Sequence, residues 1–177
     1  MTKNDFRKSC KKKLSKSRVQ KVAKDYIILQ RLKDIIEKEK PKNILLFIPL
    51  KTEPNVLKLI NTLRKNRKIR VFVPFMVKNS FVPVLYKLPI VKKQFGIKEP
   101  KYAKLVFKHK IDLAIVPIIG LDATFRRVGF GKGMYDRFFQ SSIFNNITKI
   151  FVQRELCFTS KTLTQSHDIQ ADYIVSS

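Results

Sequence analysis

Five short apolar runs, separated by segments with a different hydrophobic period, constrain the fold of this chain more than any other feature. The first run, "NILLFIPL", shows no alternation of polar and apolar residues, which is typical of a strand covered on both faces. The five runs lie at residues 43–50, 68–75, 112–119, 147–153 and 172–176. Strands that alternate with helical segments indicate a parallel sheet. The sequence therefore predicts a single α/β domain over residues 1–177, in three layers, with a mostly parallel sheet and helices on both faces.

The helical segments are predicted from apolar residues that recur every three or four positions. The predicted buried face of the longest segment, residues 18–37, consists of Val19, Val22, Tyr26, Leu29, Leu32 and Ile36. A helix over 52–65 would be capped by Thr52, and further helices are predicted at 3–14, 101–110 and 134–141. Segment 80–88 contains Pro83, which lacks the N–H that a central strand needs, so we expect it at the edge of the sheet.

The chain is strongly basic, with 38 Lys and Arg residues against 13 Asp and Glu and a net charge of +25. Three explanations remain open. Clustered cations bind nucleic acids by displacing counterions from phosphates, and a positive field also steers small polyanionic substrates into an enzyme. The third explanation is coding bias, because lysine, isoleucine, asparagine and phenylalanine are all frequent. We favour coding bias as the explanation for most of the lysines and steering for a few of them.

The cysteines and histidines do not have the spacing of a zinc site. The chain contains two of each, Cys10, Cys157, His109 and His167, with no C-x-x-C or H-x-x-x-H pattern. Two distant cysteines in a chain of this size indicate a reducing compartment. No apolar run reaches the length of a membrane span, and no apolar stretch follows the basic N-terminus as in a secretory signal. We therefore expect a cytoplasmic location.

The segment "RRVGFGKGMYDR", residues 126–137, holds three of the five glycines of the chain. Closely spaced glycines let the backbone turn sharply and direct several N–H groups inward, which makes a concave anion site. Lys132 and Arg127 add positive charge, and the helix predicted at 134–141 would begin beside the loop, with its N-terminus towards the anion. The glycine spacing differs from that of the P-loop and of the dinucleotide fingerprint. A phosphate site and an ordinary glycine-rich turn remain alternative interpretations.

The longer segment "VPIIGLDATFRRVGFGKGMYDRFF" resembles the signature of the 5-formyltetrahydrofolate cyclo-ligase family, also called the 5,10-methenyltetrahydrofolate synthetases. Four other pieces resemble that family in order and spacing, and they are "KNDFR", "FIPLKTEPN", "FGIKEP" and "HDIQADYIVS". The resemblance covers nearly the whole chain. Departures from the family pattern include Phe125 in place of a glycine, Val128 in place of leucine, and Met134 in place of a tyrosine that lies beside the folate.

The resemblance implies a ligase of one-carbon metabolism that depends on ATP and Mg²⁺. Such an enzyme converts 5-formyltetrahydrofolate to 5,10-methenyltetrahydrofolate and releases ADP and phosphate. The formyl oxygen would be phosphorylated first, and N10 would then attack the activated carbon. The implied partners are ATP and a folate with one or several glutamates in its tail. We expect a monomer that binds neither nucleic acid nor membranes.

The functional positions of the family fall on named residues of this chain. Those that the resemblance assigns to ATP are Lys3, Arg7, Arg127, Gly129, Phe130, Gly131, Lys132, Gly133, Tyr135 and Asp136. Lys132 and Arg127 would be catalytic, because they would stabilise charge on the transferred phosphoryl group. The folate is assigned to Leu50, Glu53, Phe95, Met134 and Tyr135, and Mg²⁺ to Asp136 and Asp168.

These assignments have alternatives that the sequence leaves open. Glu53 also suits a helix cap beside Thr52, and Asp168 also suits a turn. Arg126, next to Arg127, and His167, next to Asp168, are expected to be solvated surface residues. For Lys3 and Arg7, the alternative is that they belong to a lysine-rich surface. For Leu50, Phe95 and Tyr135, the alternative is core packing.

Two other classes of protein remain possible on the sequence alone. A basic nucleic-acid-binding protein would place aromatic and basic residues together on an exposed sheet. A related α/β protein that binds a phosphate ligand but has lost the chemistry is the second alternative, and the departures at Phe125 and Met134 allow it.

Overall fold

The apolar runs of the sequence become the strands of one central sheet. The computed structural model describes residues 1–16, 20–93, 96–103, 109–141 and 146–177. The strands in these ranges are β1 (Asn43–Leu45), β2 (Arg70–Val77), β3 (Ser80–Leu85), β4 (Ile90–Lys92), β5 (Lys98–Pro100), β6 (Leu113–Pro117), β7 (Gly120–Leu121), β8 (Arg127–Val128), β9 (Thr148–Val152) and β10 (Tyr173–Val175). Six of them form a sheet in the order β10-β9-β6-β1-β2-β3, and the other four form two short antiparallel pairs, β4 with β5 and β7 with β8.

Five of the six strands in the central sheet run parallel. Ile44 on β1 is in register with Val71 on β2 and with Leu113 on β6. Strand β3 is antiparallel to β2 and lies at the edge of the sheet, as Pro83 indicates. A mostly parallel sheet brings the carboxyl ends of its strands to one edge, where ligands bind in folds of this type.

Helices cover both faces of the sheet. They are α1 (Lys3–Lys16), α2 (Lys21–Glu39), α3 (Leu57–Lys65) and α4 (Met134–Phe139). Helices α2 and α3 pack on one face, where Leu32 and Ile60 join a core with Ile115. Helix α4 packs on the other face, where Phe138 joins Phe151. This arrangement confirms the predicted α/β class with a mostly parallel sheet. In the described parts of the chain, no helix has the length and hydropathy needed to cross a membrane.

Three details of the predicted helices are wrong or fall outside the described residues. In α2, Val22 and Tyr26 are 82% and 62% exposed, because the half of the helix that packs on the sheet begins at Ile28. The helix predicted at 52–65 begins only at Leu57, after a turn at 51–53, and Thr52 does not cap it. The helix predicted at 101–110 falls mainly on residues 104–108, which lie outside the described residues.

Helix α1 docks beside the sheet through a small apolar cluster of its own. Phe6 and Cys10 pack against Ile119, Val128 and Cys157. The two cysteines form a disulfide whose Cα atoms are 5.7 Å apart. A disulfide is not expected in the reducing compartment that the wide spacing of the cysteines predicts. It fixes the N-terminal helix to the segment that follows β9.

Candidate active site

Three neighbouring cavities follow one another. The first lies at the carboxyl ends of the strands, whereas the third reaches Lys149 and Asp172 at the starts of β9 and β10. We name them after the side chains that line them. The apolar cavity has a volume of about 330 Å³, the cationic cavity about 290 Å³ and the polar cavity about 420 Å³. The apolar and cationic cavities share Arg127 and Gly133 in their walls.

The apolar cavity is built from strand ends and from the start of α4. Its walls include Phe47, Ile48 and Leu50 after β1, Pro74 and Met76 on β2, Phe81 on β3, and Met134 and Tyr135 on α4. Glu53 is the carboxylate in this lining. A mostly apolar cavity with one hydrogen-bonding acid is the kind of site that binds a heterocyclic ring.

Glu53 is held in the wall of this cavity by a local turn. Its side chain is 7% exposed, and its Oε2 accepts a hydrogen bond from the Leu50 N–H at 2.8 Å. Burial raises the pKa of Glu53 to about 7, against the lowering effects of the Leu50 N–H and the Arg154 charge. The carboxyl does not cap α3, so the helix-cap interpretation of Glu53 is wrong, and the group can exchange a proton near neutral pH.

The cationic cavity joins two ends of the chain that are far apart in the sequence. It is lined by Lys3, Arg7, Arg127, Gly129, Gly131, Gly133, Asp136, Arg137 and Asp168. Helix α1 supplies the first two residues, and Arg7 donates from Nε to the Gly129 carbonyl at 2.8 Å. Arg7 therefore lies against the glycine loop, and Lys3 lines the same cavity.

The glycine loop uses backbone conformations that other residues rarely adopt. Gly131 has φ of 99° and Gly133 has φ of 60°, both in the left-handed region that favours glycine. Helix α4 begins directly after Gly133 and spans only six residues. The curvature of the loop, more than the short helix, therefore shapes the wall of the cationic cavity.

Arg127 and Asp136 form an ion pair at the border of the apolar and cationic cavities. Arg127 is 5% exposed, and its Nη2 lies 3.1 Å from Asp136 Oδ2. Burial alone would raise the pKa of Asp136, but the Arg127 guanidinium outweighs burial and holds that pKa below its usual value. The guanidinium also lies 5.0 Å from the centroid of the Tyr135 ring. Burial, and next the Glu53 charge, raise the pKa of Tyr135, so its hydroxyl stays protonated.

Lys3 and Asp168 form a second ion pair in the cationic cavity. Lys3 Nζ donates to both carboxylate oxygens of Asp168, at 2.7 and 2.6 Å. Asp168 also accepts a hydrogen bond from the Gln165 N–H at 2.8 Å. The turn contact and the position in the cavity wall are therefore both present, and the two interpretations of Asp168 do not exclude each other.

Several predicted residues lie on the apolar side rather than around the cationic cavity. Phe130, Lys132 and Tyr135 are assigned to ATP by the resemblance, and all three line the apolar cavity. Lys132 precedes Gly133, which borders both cavities, so its backbone lies near their junction. Phe95, assigned to the folate, lies outside the described residues.

Two arginines of this region escape prediction from the sequence. Arg137 lines the cationic cavity and donates to the carbonyls of Asn79 and Lys132. Arg154 follows β9 and pairs with Asp25 of α2 at 2.7 Å. The position of Arg137 one helical turn after Gly133 is a signal that could have identified it. Arg154 pairs across 129 residues, which no local pattern reveals.

The expectation that Arg126 is a solvated surface residue holds only in part, because its side chain is half-buried. Its Nε atom is buried and has no hydrogen-bond partner among the described residues. The side chain lines the polar cavity together with Gln140, Lys149 and residues 166–172. The adjacent Arg127 has a paired guanidinium, so the two arginines of the loop have different environments.

Comparison with known proteins identifies one family. A sequence model of the 5-formyltetrahydrofolate cyclo-ligase family matches residues 2–177. A 5-formyltetrahydrofolate cyclo-ligase of Haemophilus influenzae is 31% identical over 120 residues, which are 64% of this chain and 64% of that protein. The enzyme of the same name from Mycoplasma pneumoniae is 28% identical over 141 residues, covering 78% of this chain and 77% of its own length.

Two solved structures share the fold. The 5,10-methenyltetrahydrofolate synthetase of Aquifex aeolicus superposes with a TM-score of 0.79 at 25% identity, covering 99% of this chain and 90% of that one. The 5,10-methenyltetrahydrofolate synthetase of Mycoplasma pneumoniae superposes with a TM-score of 0.76 at 26% identity, covering 98% of each chain. With a family match over almost its full length, the chain belongs to the 5-formyltetrahydrofolate cyclo-ligase family.

Proposed function

We propose that this chain is an ATP- and Mg²⁺-dependent 5-formyltetrahydrofolate cyclo-ligase that produces 5,10-methenyltetrahydrofolate, ADP and phosphate. The observation that carries the proposal is the wall shared by two cavities of different chemistry. Arg127 and Gly133 border both the apolar cavity and the cationic cavity. A pterin in the first and a triphosphate in the second would meet at these residues, which is the proximity that the reaction requires.

Glu53 would orient the pterin. Ring N–H groups of a reduced pterin donate hydrogen bonds, and the buried Glu53 carboxyl presents acceptor oxygens inside the apolar cavity. Because burial raises the pKa of Glu53 to about 7, the group is ionised only in part near neutral pH. Met134 and Tyr135 line the same cavity and would pack against the ring, with Met134 in the place of the tyrosine found in the family.

The transferred phosphoryl group would lie at the shared wall. The formyl oxygen attacks the γ-phosphorus, the bond from that phosphorus to the β,γ-bridging oxygen breaks, and ADP leaves. N10 then attacks the formyl carbon and loses its proton, and the carbon–oxygen bond to phosphate breaks. The Arg127 guanidinium and the Lys132 ammonium would stabilise the charge that develops on the phosphoryl oxygens.

The donor set of the cationic cavity fits a magnesium ion that arrives with the nucleotide. Asp136 and Asp168 both line this cavity. Among the described residues, no cluster of three or more His, Cys, Asp or Glu side chains is arranged to hold a metal. Mg²⁺ commonly uses one or two carboxylates together with phosphate oxygens and waters, so these two aspartates suffice. When bound, the ion would neutralise charge on the phosphates.

The proposal is tested by mixing the protein with ATP, Mg²⁺ and 5-formyltetrahydrofolate and following the absorbance of the methenyl product. We expect turnover that requires ATP. Lys132→Met should lower kcat by a factor on the order of 10², as removal of one charge-stabilising donor does in other enzymes. Lys65→Met, at an exposed position at the end of α3, removes the same charge and should leave kcat unchanged.

Each alternative class of function predicts a different result in the same experiment. A protein that binds ATP but forms no methenyl product would be a relative that has lost the chemistry. A protein that forms no product and retards DNA at physiological salt would be a nucleic-acid-binding protein. The cytoplasmic location, the monomeric state and the length of the glutamate tail stay predictions.

A further inference from the structure

Arg154 is a buried arginine that stands behind the walls of the cavities. The residue is 5% exposed. Among the described residues that line the apolar, cationic and polar cavities, Arg154 does not occur. A buried charge is costly unless it is paired and hydrogen-bonded. The contacts of its guanidinium group therefore show which parts of the molecule it holds.

The three guanidinium nitrogens of Arg154 connect two parts of the chain. Nε and Nη2 donate to the two carboxylate oxygens of Asp25 on α2, at 2.7 and 3.1 Å. Nη1 lies 3.5 Å from the Lys51 carbonyl oxygen. The planar fork of an arginine side chain makes such contacts in a fixed orientation. Arg154 thus links the N-terminal half of α2 to the turn that precedes α3.

That turn places Glu53 in the wall of the apolar cavity. The Glu53 N–H donates to the Leu50 carbonyl at 3.1 Å, and the Leu50 N–H donates to Glu53 Oε2 at 2.8 Å. These two hydrogen bonds close the turn, and Lys51 lies inside it. Lys21 Nζ of α2 also lies 3.5 Å from the Lys51 carbonyl oxygen. The turn is therefore held from outside by Arg154 and by α2.

Asp25 belongs to the half of α2 that does not pack on the sheet. Its neighbour Tyr26 is 62% exposed, whereas the Asp25 side chain is only 14% exposed. Lys24 pairs with Glu155, the residue after Arg154, at 3.6 Å. Ion pairs to the segment after β9 therefore hold this half of the helix, and they keep Asp25 against Arg154.

The charge of Arg154 also acts on Glu53. Burial raises the pKa of Glu53 to about 7, and the Arg154 charge opposes that rise. A nearby positive charge favours the ionised form of a carboxyl group, which is the stronger acceptor for the N–H groups of a pterin. The other charged or titratable side chains that line the apolar cavity are Lys98 on β5, Arg127 on β8, Lys132 in the glycine loop and Tyr135 on α4.

We propose that Arg154 is a positioning residue of the folate site: paired with Asp25, it holds the turn that presents the Glu53 carboxylate to the pterin. This inference rests on the proposed function, because that function gives Glu53 its ligand. Arg154 acts through Glu53 and not by contact with the substrate. Without Arg154, Glu53 would be protonated more often at neutral pH and would be a weaker acceptor.

The first test follows the titration of Glu53 by NMR, in protein labelled with carbon-13 at the glutamate carboxyl groups, between about pH 4 and pH 9. The Glu53 signal is identified by its loss in Glu53→Gln. Arg154→Met keeps the apolar stem and removes the charge and the donors, so Glu53 should titrate at a higher pH than in the wild type. Arg67→Met removes the same charge from an exposed turn and should leave the titration unchanged.

Two further variants separate the role of Arg154 from a loss of folding. Arg154→Met leaves the Asp25 carboxylate without its partner, which destabilises proteins strongly. The double variant Asp25→Asn with Arg154→Met leaves no such charge, and it should show the same higher titration. Asp25→Asn alone keeps the Arg154 charge and an acceptor for it, so Glu53 should not titrate at a higher pH.

These NMR results can contradict the proposal in two ways. If the titration is unchanged in Arg154→Met and in the double variant, Arg154 does not act on Glu53. If Asp25→Asn alone raises the titration as far as Arg154→Met does, the shift follows from undocking of α2. Either result would overturn the proposal.

The second test is the cyclo-ligase assay near neutral pH. Arg154→Met should raise the KM for 5-formyltetrahydrofolate about fivefold, the difference between a charged and a neutral hydrogen-bond acceptor. The KM for ATP should change no more than in Arg67→Met. Equal increases in both KM values would mean that Arg154 supports the fold as a whole, and would overturn the positioning role. A wild-type protein that forms no product would overturn the proposed function and the folate role together, whereas the NMR titration would still show whether Arg154 controls Glu53.

Discussion

Glu53 links the chemistry of the site to the pH dependence of stability. Burial raises its pKa from 4.5 to about 7, so between these values the folded protein holds a proton that the unfolded chain has lost. The favourable contribution of Glu53 to the free energy of unfolding is complete below pH 4.5 and is lost as the pH rises to about 7. Glu53→Gln cannot lose that proton. We therefore expect its melting temperature relative to wild type to rise from pH 5 to about pH 7 and to level off above that pH.

The control for this prediction is Glu37→Gln, at an exposed position of α2, which should show no comparable trend with pH. A constant difference between Glu53→Gln and wild type across the range would mean that Glu53 is ionised throughout, as a solvated carboxylate is.

Phe125 carries a backbone strain at a position where the family has glycine. Its φ is 56°, in the left-handed region that costs a residue with a Cβ about 1–2 kcal/mol. Phe125→Ala and Phe125→Gly both remove the half-exposed ring, so the difference between them reports the backbone alone. We expect the glycine variant to be more stable to urea by about 1 kcal/mol. At Asp34, inside α2, the same pair should show the opposite order.

Single residues could be nominated from the sequence, but their partners could not. The residues that line the apolar and cationic cavities come mainly from the quoted motifs, because the motifs follow predicted strands and strand ends converge. Lys3 and Asp168 are 165 residues apart, and no periodicity connects them. The buried Arg126 Nε, which has no partner among the described residues, lies near residues 166–172, so its environment cannot be predicted from a local pattern.

At the scale of elements, the strands can be predicted because strands buried on both faces have continuous apolar runs. The buried residues of the helices are harder to predict, because a helix buries only the part that packs on the sheet. Val22 and Tyr26 continue the apolar period of α2 yet point to solvent. The turn before α3 depends on Glu53, whose carboxylate accepts a hydrogen bond from the Leu50 N–H. This turn competes with a helix that would begin at Thr52.

Helix α1 depends on few tertiary contacts, and the disulfide is one of them. Cys10 and Cys157 close a loop across 147 residues, and cross-links of that kind contribute about 2–4 kcal/mol. Reduction by dithiothreitol should lower the urea midpoint and speed amide exchange over residues 3–16. It should also weaken ATP binding, since Lys3 and Arg7 are carried by this helix. Cys157→Ser should behave like the reduced protein and be insensitive to dithiothreitol.

If the oxidised and reduced proteins have equal midpoints and equal ATP affinity, the apolar contacts of Phe6 hold α1 without help from the disulfide. The matched pair of wild type and Cys157→Ser, each measured with and without reductant, separates the effect of the bond from the effect of the reagent.

At the scale of the whole molecule, the parallel direction of the strands determines where the loops and basic surfaces lie. The loops after β1, β6 and β9 lie at the carboxyl ends of the strands. Helix α3 runs back towards the amino ends, where Lys65, Arg67 and Lys68 are exposed. The protein therefore has one basic surface beside the cavities, on α1, and another basic surface far from them. Composition alone could not distinguish these two surfaces, because it counts their lysines together.

The net charge of +25 gives the last prediction, which separates steering from coding bias. Lys8, Lys11 and Lys12 are exposed on α1, the helix that supplies two residues to the cationic cavity. Changing all three to Gln should slow ATP association and flatten its dependence on salt, because screening already weakens such fields over about 10 Å at 0.1 M. The same change at Lys65, Arg67 and Lys68 removes an equal charge from the opposite edge and should leave association unchanged. The measurement is the stopped-flow rate of ATP association between about 20 mM and 300 mM salt. An equal effect of both triple variants would mean that only the total charge matters. No effect of either variant would mean that the lysines reflect coding bias.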